Sequence, residues 1–219
     1  MREAREDEGV SADVKSSEEL TLILLGGFVH DVASPLAVLT SNLPVVRALP
    51  LDDPDTDLQQ TATELREIVE DLELATVRLR ELTSDLRLYV GASTHDKSLE
   101  ELVRTALRLG HSHLSRRADV TVDIDPALRT VAPPQLVLRV IAETIVAITL
   151  EPKPSVRHRL EVRARPTGLQ IELSPPPSRD PSRTLEGVAG RIGSRVDVSL
   201  TAERLHIEIA LQWAGRGAP

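Results

Sequence analysis

One short stretch of the sequence carries residue types that could do phosphoryl chemistry. His30 and Asp31 are adjacent, Ser34 follows four residues after His30, and Pro35 comes next. A neutral imidazole is a good nucleophile at phosphorus near pH 7, and an adjacent carboxylate can orient the ring or accept its proton. In a helix His30 and Ser34 share a face, and Pro35 removes a backbone donor. On residue types alone the stretch permits a nucleophilic histidine, although a single histidine on a helix is more often an ordinary surface residue.

The residues around this stretch predict two long amphipathic helices. The first has apolar residues at alternating steps of three and four, the spacing of a coiled-coil seam: Leu22, Leu25, Val29, Val32, Leu36, Leu39, Leu43 and Val46. After a polar break at 49–57 a second seam follows, made of Leu58, Leu65, Leu72, Leu79 and Leu86, with Ile68, Ala75 and Leu82 between them. Two such helices joined by a short turn form an antiparallel helical hairpin. Because a hairpin alone exposes much of its seam, we expect a dimeric four-helix bundle; a purely structural coiled-coil hairpin is the alternative.

The second half of the chain has a different periodicity, which indicates an α+β fold. Ser98 and Glu101 have the spacing of a capping box, and a helix is predicted from there to Leu114. Alternating apolar residues predict strands near 120–124, 160–164, 169–173, 195–200 and 205–211, with helices near 133–150 and 184–192 between them. One sheet with helices on one face fits this order. The predicted domains are 18–92 and 97–213, preceded by a disordered acidic tail at 1–17.

Composition and spacing exclude several classes of protein. The chain has 219 residues, a formal charge of −8, one residue each of Phe, Tyr and Trp, and no cysteine. This excludes a disulfide scaffold or thiolate site and disfavours a binder of nucleic acid. His111 and His113 are two apart and do not share a helical face, so they predict no metal pair. The longest apolar stretch, Leu20 to Val29, is shorter than the roughly 20 helical residues that cross a bilayer. We therefore expect a cytoplasmic protein with no membrane and no nucleic-acid partner.

The order His-Asp-x-x-Ser-Pro-Leu, which starts at His30, resembles the H-box of the dimerisation and phosphotransfer domain of sensor histidine kinases. The resemblance implies that His30 is the phospho-acceptor and that Asp31 is the orienting residue or general base. Ser34 would be an auxiliary residue, and it departs from the Asn or Thr that often positions water in that family. The order of elements after Gly91 is similar to the ATP-binding domain of the same kinases.

The residues that would bind ATP in such a domain are missing. The N-box helix of the family carries Asn residues for Mg²⁺ and phosphates, but the corresponding positions here are Glu143 and Ala147. The place of its Asp-x-Gly-x-Gly box is taken by Ser-Pro-Pro-Pro at 174–177. A G-x-x-G-x-x-G run at 187–193 has no strand immediately before it, so we interpret its glycines as close packing of the last helix. The second half is thus predicted to be an α/β sandwich that resembles a degenerate histidine-kinase (Bergerat-type) ATP-binding domain.

A phospho-accepting histidine without an ATP site is similar to a dimeric histidine phosphotransferase of the ChpT type. The resemblance implies a homodimer that shuttles phosphate between the aspartates of response-regulator receiver domains, with a hybrid histidine kinase as a further partner. This chain would bind no cofactor, because the Mg²⁺ belongs to the partner receiver. Without an ATP site it would not be an active ATP-dependent kinase. The receiver would contact exposed neighbours of His30, namely Ala33, Ala37 and Thr40. The alternative is a non-catalytic pseudo-histidine-kinase scaffold that binds and regulates a kinase or response regulator.

Overall fold

The computed structural model describes nine stretches of the chain, which are 17–49, 57–91, 97–115, 117–129, 133–150, 157–165, 168–178, 180–190 and 195–211. The predicted acidic tail at 1–17 lies outside these residues, apart from Ser17, which begins a helix. The segment 92–96, between the two predicted domains, and Gly193 also lie outside them. The disorder of the tail and the boundaries of the two domains therefore stay predictions.

The N-terminal part consists of two long helices, α1 (Ser17–Ala48) and α2 (Leu58–Tyr89), each of 32 residues. α1 continues through Pro35 and Pro44 and ends at Ala48. α2 begins at an N-cap, where the carboxylate of Asp57 accepts hydrogen bonds from the amides two and three residues further on. Such a cap satisfies helix donors that have no partner inside the helix, so it sets the start of α2.

The two helices pack side by side and run in opposite directions. Thr21, near the start of α1, lies beside Tyr89 at the end of α2, with 3.3 Å between the two hydroxyl oxygens. The seam predicted for α2 turns inward, since Ala75 and Leu82 are buried. The start of one helix therefore meets the end of the other. The dimeric four-helix bundle stays a prediction.

α1 buries a different face from the one that the coiled-coil spacing selects. Leu20, Leu24 and Phe28, spaced four apart, are buried against the C-terminal part. Half of the predicted seam instead forms an exposed row spaced seven apart, hereafter the heptad row, whose side chains are between 45% and 68% exposed: Leu22, Val29, Leu36 and Leu43. The difference arises because α1 carries two apolar stripes, and the coiled-coil spacing identifies only one of them.

α1 is also long and apolar enough to cross a membrane, judged by length and composition only. Apart from His30, Asp31 is the only ionisable residue between Glu19 and Arg47, so the apolar character extends well beyond the stretch that ends at Val29. A single helix of this kind is weak evidence for a membrane span, because the core helix of a soluble protein passes the same test. The absence of membrane contact stays a prediction.

The C-terminal part alternates helices and strands. In order, these are α3 (Leu99–Leu109), α4 (His111–Leu114), β1 (Ala118–Asp123), α5 (Pro134–Thr149), β2 (His158–Arg165), β3 (Gly168–Ser174), α6 (Ser182–Gly190), β4 (Val196–Leu200) and β5 (Leu205–Ala210). The predicted order is confirmed, and the capping box of Ser98 and Glu101 is present at the start of α3. The one difference lies at Gly110, which interrupts the helix predicted to reach Leu114 and makes α4 a separate short helix.

The five strands form one mixed sheet in the order β1-β2-β3-β5-β4. β1 and β2 are parallel and are joined through α5, whereas the other neighbouring strands are antiparallel. Along β2, Leu160 and Val162 point into the core, while Arg159 and Arg163 on the opposite face both form ion pairs with Glu161. The helices therefore cover one face of the sheet and charged side chains cover the other, which confirms the predicted α+β fold.

The buried core is continuous from α1 to the sheet. Leu24 and Phe28 of α1 belong to the same buried cluster as Ile141 and Ile145 of α5 and Leu160 of β2. Burial of apolar area stabilises a fold by roughly 25 cal/mol per Å². The first turns of α1 are thus held in place by the C-terminal part as well as by α2.

A two-point ion pair also joins the end of α2 to α3. Asp85 is 5% exposed, and its two carboxylate oxygens lie 2.7 Å from Nε and 2.8 Å from Nη2 of Arg108. Nη2 also donates to Thr105 Oγ1 at 3.0 Å. The hydrogen bonds to Asp85 raise the pKa of Arg108, although partial burial acts in the opposite sense. Bidentate pairing of this kind fixes orientation as well as distance.

Candidate functional site

His30 lies on the exposed surface of α1, and Asp31 lies beside it but faces inward. The side chain of His30 is 82% exposed and that of Asp31 is 10% exposed, with 3.6 Å between His30 Nδ1 and Asp31 Oδ1. The two differ because successive residues of a helix are rotated by about 100°. A carboxylate near Nδ1 favours the tautomer with the proton on that nitrogen. Nε2 then carries the lone pair and is the nitrogen that can attack an electrophile.

The two residues that follow in the motif have different surroundings. Ser34 is exposed, and no residue in the described part of the chain hydrogen-bonds to its side chain. Pro35 is buried and lacks the amide that would bind the carbonyl of Asp31 in a regular helix. The structure thus places the Asp31 carboxylate beside the His30 ring, whereas Ser34 forms a hydrogen bond with neither of them.

Small side chains lie on the exposed face of α1 that continues from His30. Ala33, Ala37 and Thr40 follow His30 by three, seven and ten residues, so they lie on the same side of α1, and all three are exposed. The hydroxyl of Thr40 donates to the backbone carbonyls of Leu36 and Ala37, at 2.9 and 3.0 Å. These three side chains are small and that of His30 is 82% exposed, so a partner could reach the imidazole.

The inner side of the same turn of α1 meets α4. A Cβ atom added to Gly27 would lie 2.2 Å from Ser112 Oγ and 2.7 Å from His113 Nε2, so α4 packs directly on the helix backbone. His113 Nε2 is 3.2 Å from the carbonyl oxygen of Ile23. Since a carbonyl only accepts hydrogen bonds, Nε2 is the protonated nitrogen of His113 in this contact. Among the described residues, two buried side-chain oxygens have no hydrogen-bond partner, Asp31 Oδ2 and Ser112 Oγ.

His113 is held largely in its neutral form by this position. Burial lowers its pKa below the ordinary value of 6.5. The hydrogen bond to Ile23 raises the pKa, the positive charge of Arg117 lowers it and the negative charge of Asp31 raises it, but these three effects are smaller than that of burial.

Glu143, which corresponds to a metal-binding position of the N-box in the kinase resemblance, faces the two long helices. Glu143 of α5 has 0% exposure, and its Oε1 lies 3.3 Å from Thr21 Oγ1 and 3.4 Å from the hydroxyl oxygen of Tyr89. Arg139 completes the contact, because its Nε donates to the Tyr89 carbonyl at 2.9 Å and its guanidinium lies 5.3 Å from the centre of the Tyr89 ring. This network joins α1, α2 and α5.

The structure also bears on two other sequence interpretations, which concern the glycines of α6 and possible metal ligands. A Cβ atom on Gly187 or Gly190 would meet nothing within 4 Å, so the prediction that these glycines serve close packing is wrong. The helix presents them to open space, and packing does not require glycine there. Within the nine described stretches, no group of three or more His, Asp or Glu side chains could hold a metal ion.

Comparison with known proteins finds similarity at the level of solved structures. No protein-family model and no curated protein matches the sequence. A bacterial phosphotransferase is similar over 89% of this chain and 97% of its own, with 11% identity and a TM-score of 0.46. The catalytic domain of histidine kinase ThkA is similar over 54% of this chain and 97% of its own, with 13% identity and a TM-score of 0.41.

A third similar structure is histidine kinase ThkA in complex with response regulator protein TrrA. It matches 90% of this chain and 64% of its own, with 15% identity and a TM-score of 0.40. With identities this low and TM-scores below 0.5, none of these similarities is an argument about the function of this chain. The site has to be judged on its own geometry.

The packing of α4 on α1 at Gly27, one turn before Asp31, was not predicted from the sequence. The sequence predicts no role for Ser112, and for His111 and His113 it predicts only that they form no metal pair. A pattern along one helix identifies which of its own residues share a face, but it does not identify the residues of another element that pack there. The one local signal is Gly27, a residue unfavourable in a helix interior, whose missing side chain leaves room for α4.

Proposed function

We propose that this chain is a histidine phosphotransferase of a two-component phosphorelay, in which His30 carries phosphate between receiver-domain aspartates. The observation that carries the proposal is an imidazole that is 82% exposed beside a carboxylate that is 10% exposed, 3.6 Å away. A partner can reach the ring, while the carboxylate remains within the protein. Burying a carboxylate costs free energy, and a surface histidine without a function would not require a buried carboxylate beside it.

The chemistry requires little beyond alignment. His30 Nε2 attacks the phosphorus of an aspartyl phosphate, so that the N–P bond forms while the P–O bond to the receiver breaks. The receiver's carboxylate leaves with the electron pair of that bond. Nδ1 keeps its proton, and the negative Asp31 offsets the positive charge that develops on the ring. Transfer to a second receiver is the reverse step, and each receiver supplies its own Mg²⁺.

The absence of an ATP site is part of the proposal. Glu143, at the position where the kinase resemblance expects a metal-binding Asn, is fully buried and accepts hydrogen bonds from Thr21 and Tyr89. Breaking those bonds to reach a nucleotide would leave buried polar groups unpaired, which costs about 1–3 kcal/mol for each group. We therefore expect no ATP-dependent autophosphorylation of His30.

Two surfaces are assigned to partners in this proposal. The receiver contacts the exposed face of Ala33, Ala37 and Thr40, and a second copy of the chain covers the heptad row. Support for the homodimer is the exposure of all four apolar side chains of that row, which α2 leaves uncovered.

In sedimentation experiments Leu36→Asp should give monomers, whereas Leu200→Asp should leave the wild-type dimer, since Leu200 is a comparably exposed residue of β4. A cytoplasmic location stays a prediction.

The test is phosphotransfer from a panel of phosphorylated receiver domains, with the full chain and radiolabelled phosphate. We expect label on the wild type and none on His30→Gln. The matched control is His111→Gln, because His111 is also an exposed histidine on a helix but lies on α4. Calorimetry with Mg²⁺-ATP should show no binding to the wild type.

The outcomes separate the proposal from its rival. Label on the wild type and on His111→Gln, but not on His30→Gln, supports phosphotransfer through His30. If no receiver labels the wild type while receivers still bind it, the phosphotransferase proposal fails and the pseudokinase scaffold replaces it. Tight ATP binding would show that the interpretation of Glu143 is wrong.

A further inference from the structure

Asp31 uses only one of its two carboxylate oxygens toward His30. Oδ1 lies 3.6 Å from His30 Nδ1, whereas Oδ2 is buried and has no hydrogen-bond partner among the described residues. A buried carboxylate oxygen without a donor is unfavourable, and such groups are rare in folded proteins. A hydrogen-bond donor must reach Oδ2 if Asp31 is to orient His30. Otherwise the carboxylate would turn toward solvent and move away from His30 Nδ1.

A matching unpaired group lies on α4. Ser112 Oγ is buried and also has no partner within the described part of the chain. It lies against Gly27, where an added Cβ atom would be 2.2 Å away. Gly27 is one helical turn before Asp31, and helical side chains lean toward the N-terminus, so the carboxylate of Asp31 lies over the turn that Ser112 contacts. A hydroxyl donates one hydrogen bond, and an ionised carboxylate only accepts.

His113 keeps α4 in this position. Its Nε2–H donates to the carbonyl of Ile23, and its ring lies beside Gly27. Ile23 and Gly27 are one turn apart, so His113 and Ser112 contact adjacent turns of α1 below Asp31. The short helix is therefore fixed to α1 by one hydrogen bond and by close packing on a glycine.

We propose that Ser112 is a positioning residue, whose hydroxyl donates to Asp31 Oδ2, directly or through one water molecule, and holds Oδ1 toward His30 Nδ1. The expected effect of Ser112 on phosphotransfer rests on the proposed function of His30. Its expected effect on the tautomer of the His30 ring does not. With Asp31 held, His30 has its proton on Nδ1 and presents the Nε2 lone pair. Without the hydroxyl, the carboxylate turns away and the ring populates both tautomers.

The primary test is the tautomer of His30, measured by ¹⁵N NMR of the full chain above the pH at which the ring is charged. We expect mainly the Nδ1–H form in the wild type and a mixture in Ser112→Ala. The matched control is Ser115→Ala, because Ser115 is an exposed serine directly after α4, and it should match the wild type. An unchanged tautomer in Ser112→Ala, or an equal change in Ser115→Ala, would overturn the proposal.

The second test is the rate of phosphotransfer from one receiver, measured over a range of receiver concentrations that extends to saturation. We expect Ser112→Ala to lower kcat about tenfold, equivalent to about 1.4 kcal/mol, with KM unchanged because the hydroxyl is remote from the receiver. In an Asp31→Asn background, Ser112→Ala should add nothing, since it acts through that carboxylate. A full further tenfold loss in that background would show that Ser112 acts by packing and would overturn the proposal.

The two tests also separate this inference from the function on which it rests. If His30 shifts its tautomer in Ser112→Ala while no receiver labels the wild type, the positioning by Ser112 stands and the phosphotransferase proposal fails. If label passes normally through His30 in Ser112→Ala and the tautomer is unchanged, the phosphotransferase proposal stands and the role of Ser112 is refuted.

Discussion

Adjacent glycines on α1 allow the contact with α4 to be tested by stability alone. A Cβ atom on Gly26 would meet nothing within 4 Å, whereas one on Gly27 would lie 2.2 Å from Ser112 Oγ and 2.7 Å from His113 Nε2. Both positions are inside a helix, so alanine should gain about 1 kcal/mol from helix propensity at either one. At Gly27 the gain is opposed by overpacking, about 1–3 kcal/mol, and by loss of the bond from His113 to Ile23, about 1 kcal/mol.

We therefore expect Gly26→Ala to be about 1 kcal/mol more stable than the wild type and Gly27→Ala to be about 2–4 kcal/mol less stable than Gly26→Ala. Urea unfolding followed by circular dichroism measures both, provided that the denaturant slope is the same for the two variants. Ser112→Ala in the Gly27→Ala background should recover part of the loss, because it removes the closest atom. If Gly27→Ala were as stable as Gly26→Ala, α4 would not pack on α1 as described.

Three further predictions concern charge. Asp85→Ala should lower the free energy of unfolding by about 2–3 kcal/mol, since two charge-assisted bonds to Arg108 are lost; an unchanged value in urea unfolding would refute their contribution. The hydrogen bond from the Ser98 amide lowers the pKa of Glu101 below its ordinary 4.5, so its contribution exists above that pH and is lost as the pH falls through the lowered pKa. The stability difference between the wild type and Glu101→Gln should therefore shrink as the pH falls below 4.5, and a difference that stays constant there would contradict the capping box. The lowered pKa of His113 means that the unfolded chain takes up its proton first as the pH drops below 6.5. Wild-type stability should then fall more steeply than that of His113→Gln as the pH drops below 6.5, and parallel slopes would show that the ring is not desolvated.

Local patterns were sufficient for most of the fold. The pair Ser98 and Glu101 predicted the start of α3, because a capping box involves only residues that are neighbours in sequence. The alternation of Leu160 and Val162 with Arg159 and Glu161 predicted a strand with one buried face, because side chains of a strand alternate between its two sides. The break at Gly110 was missed, since an isolated glycine in an apolar helical pattern does not by itself end a helix.

The candidate site could be predicted only on the side that faces solvent. His30, Asp31 and the exposed Ala33 are close in sequence, so helical geometry places them correctly. The packing of α4 on Gly27 and the burial of Glu143 depend on contacts between segments that are far apart in the chain. A second apolar stripe, marked by Leu24, was also missed, because residues that lie far away in the sequence bury it.

The two halves of α1 have different surroundings, and the difference has a consequence for hydrogen exchange. From Leu20 to Phe28 the helix shares the core of the sheet, whereas from Leu36 onward half of its apolar side chains are exposed. Amides of the first half should exchange only when the core opens, and those of the second half by local openings at lower free energy. His30 lies at the junction of these two regions. The His30 ring and the Asp31 carboxylate are thus attached to the half of α1 whose amides exchange slowly. The surface around Ala37 belongs to the other half, which can adjust its conformation when a partner binds.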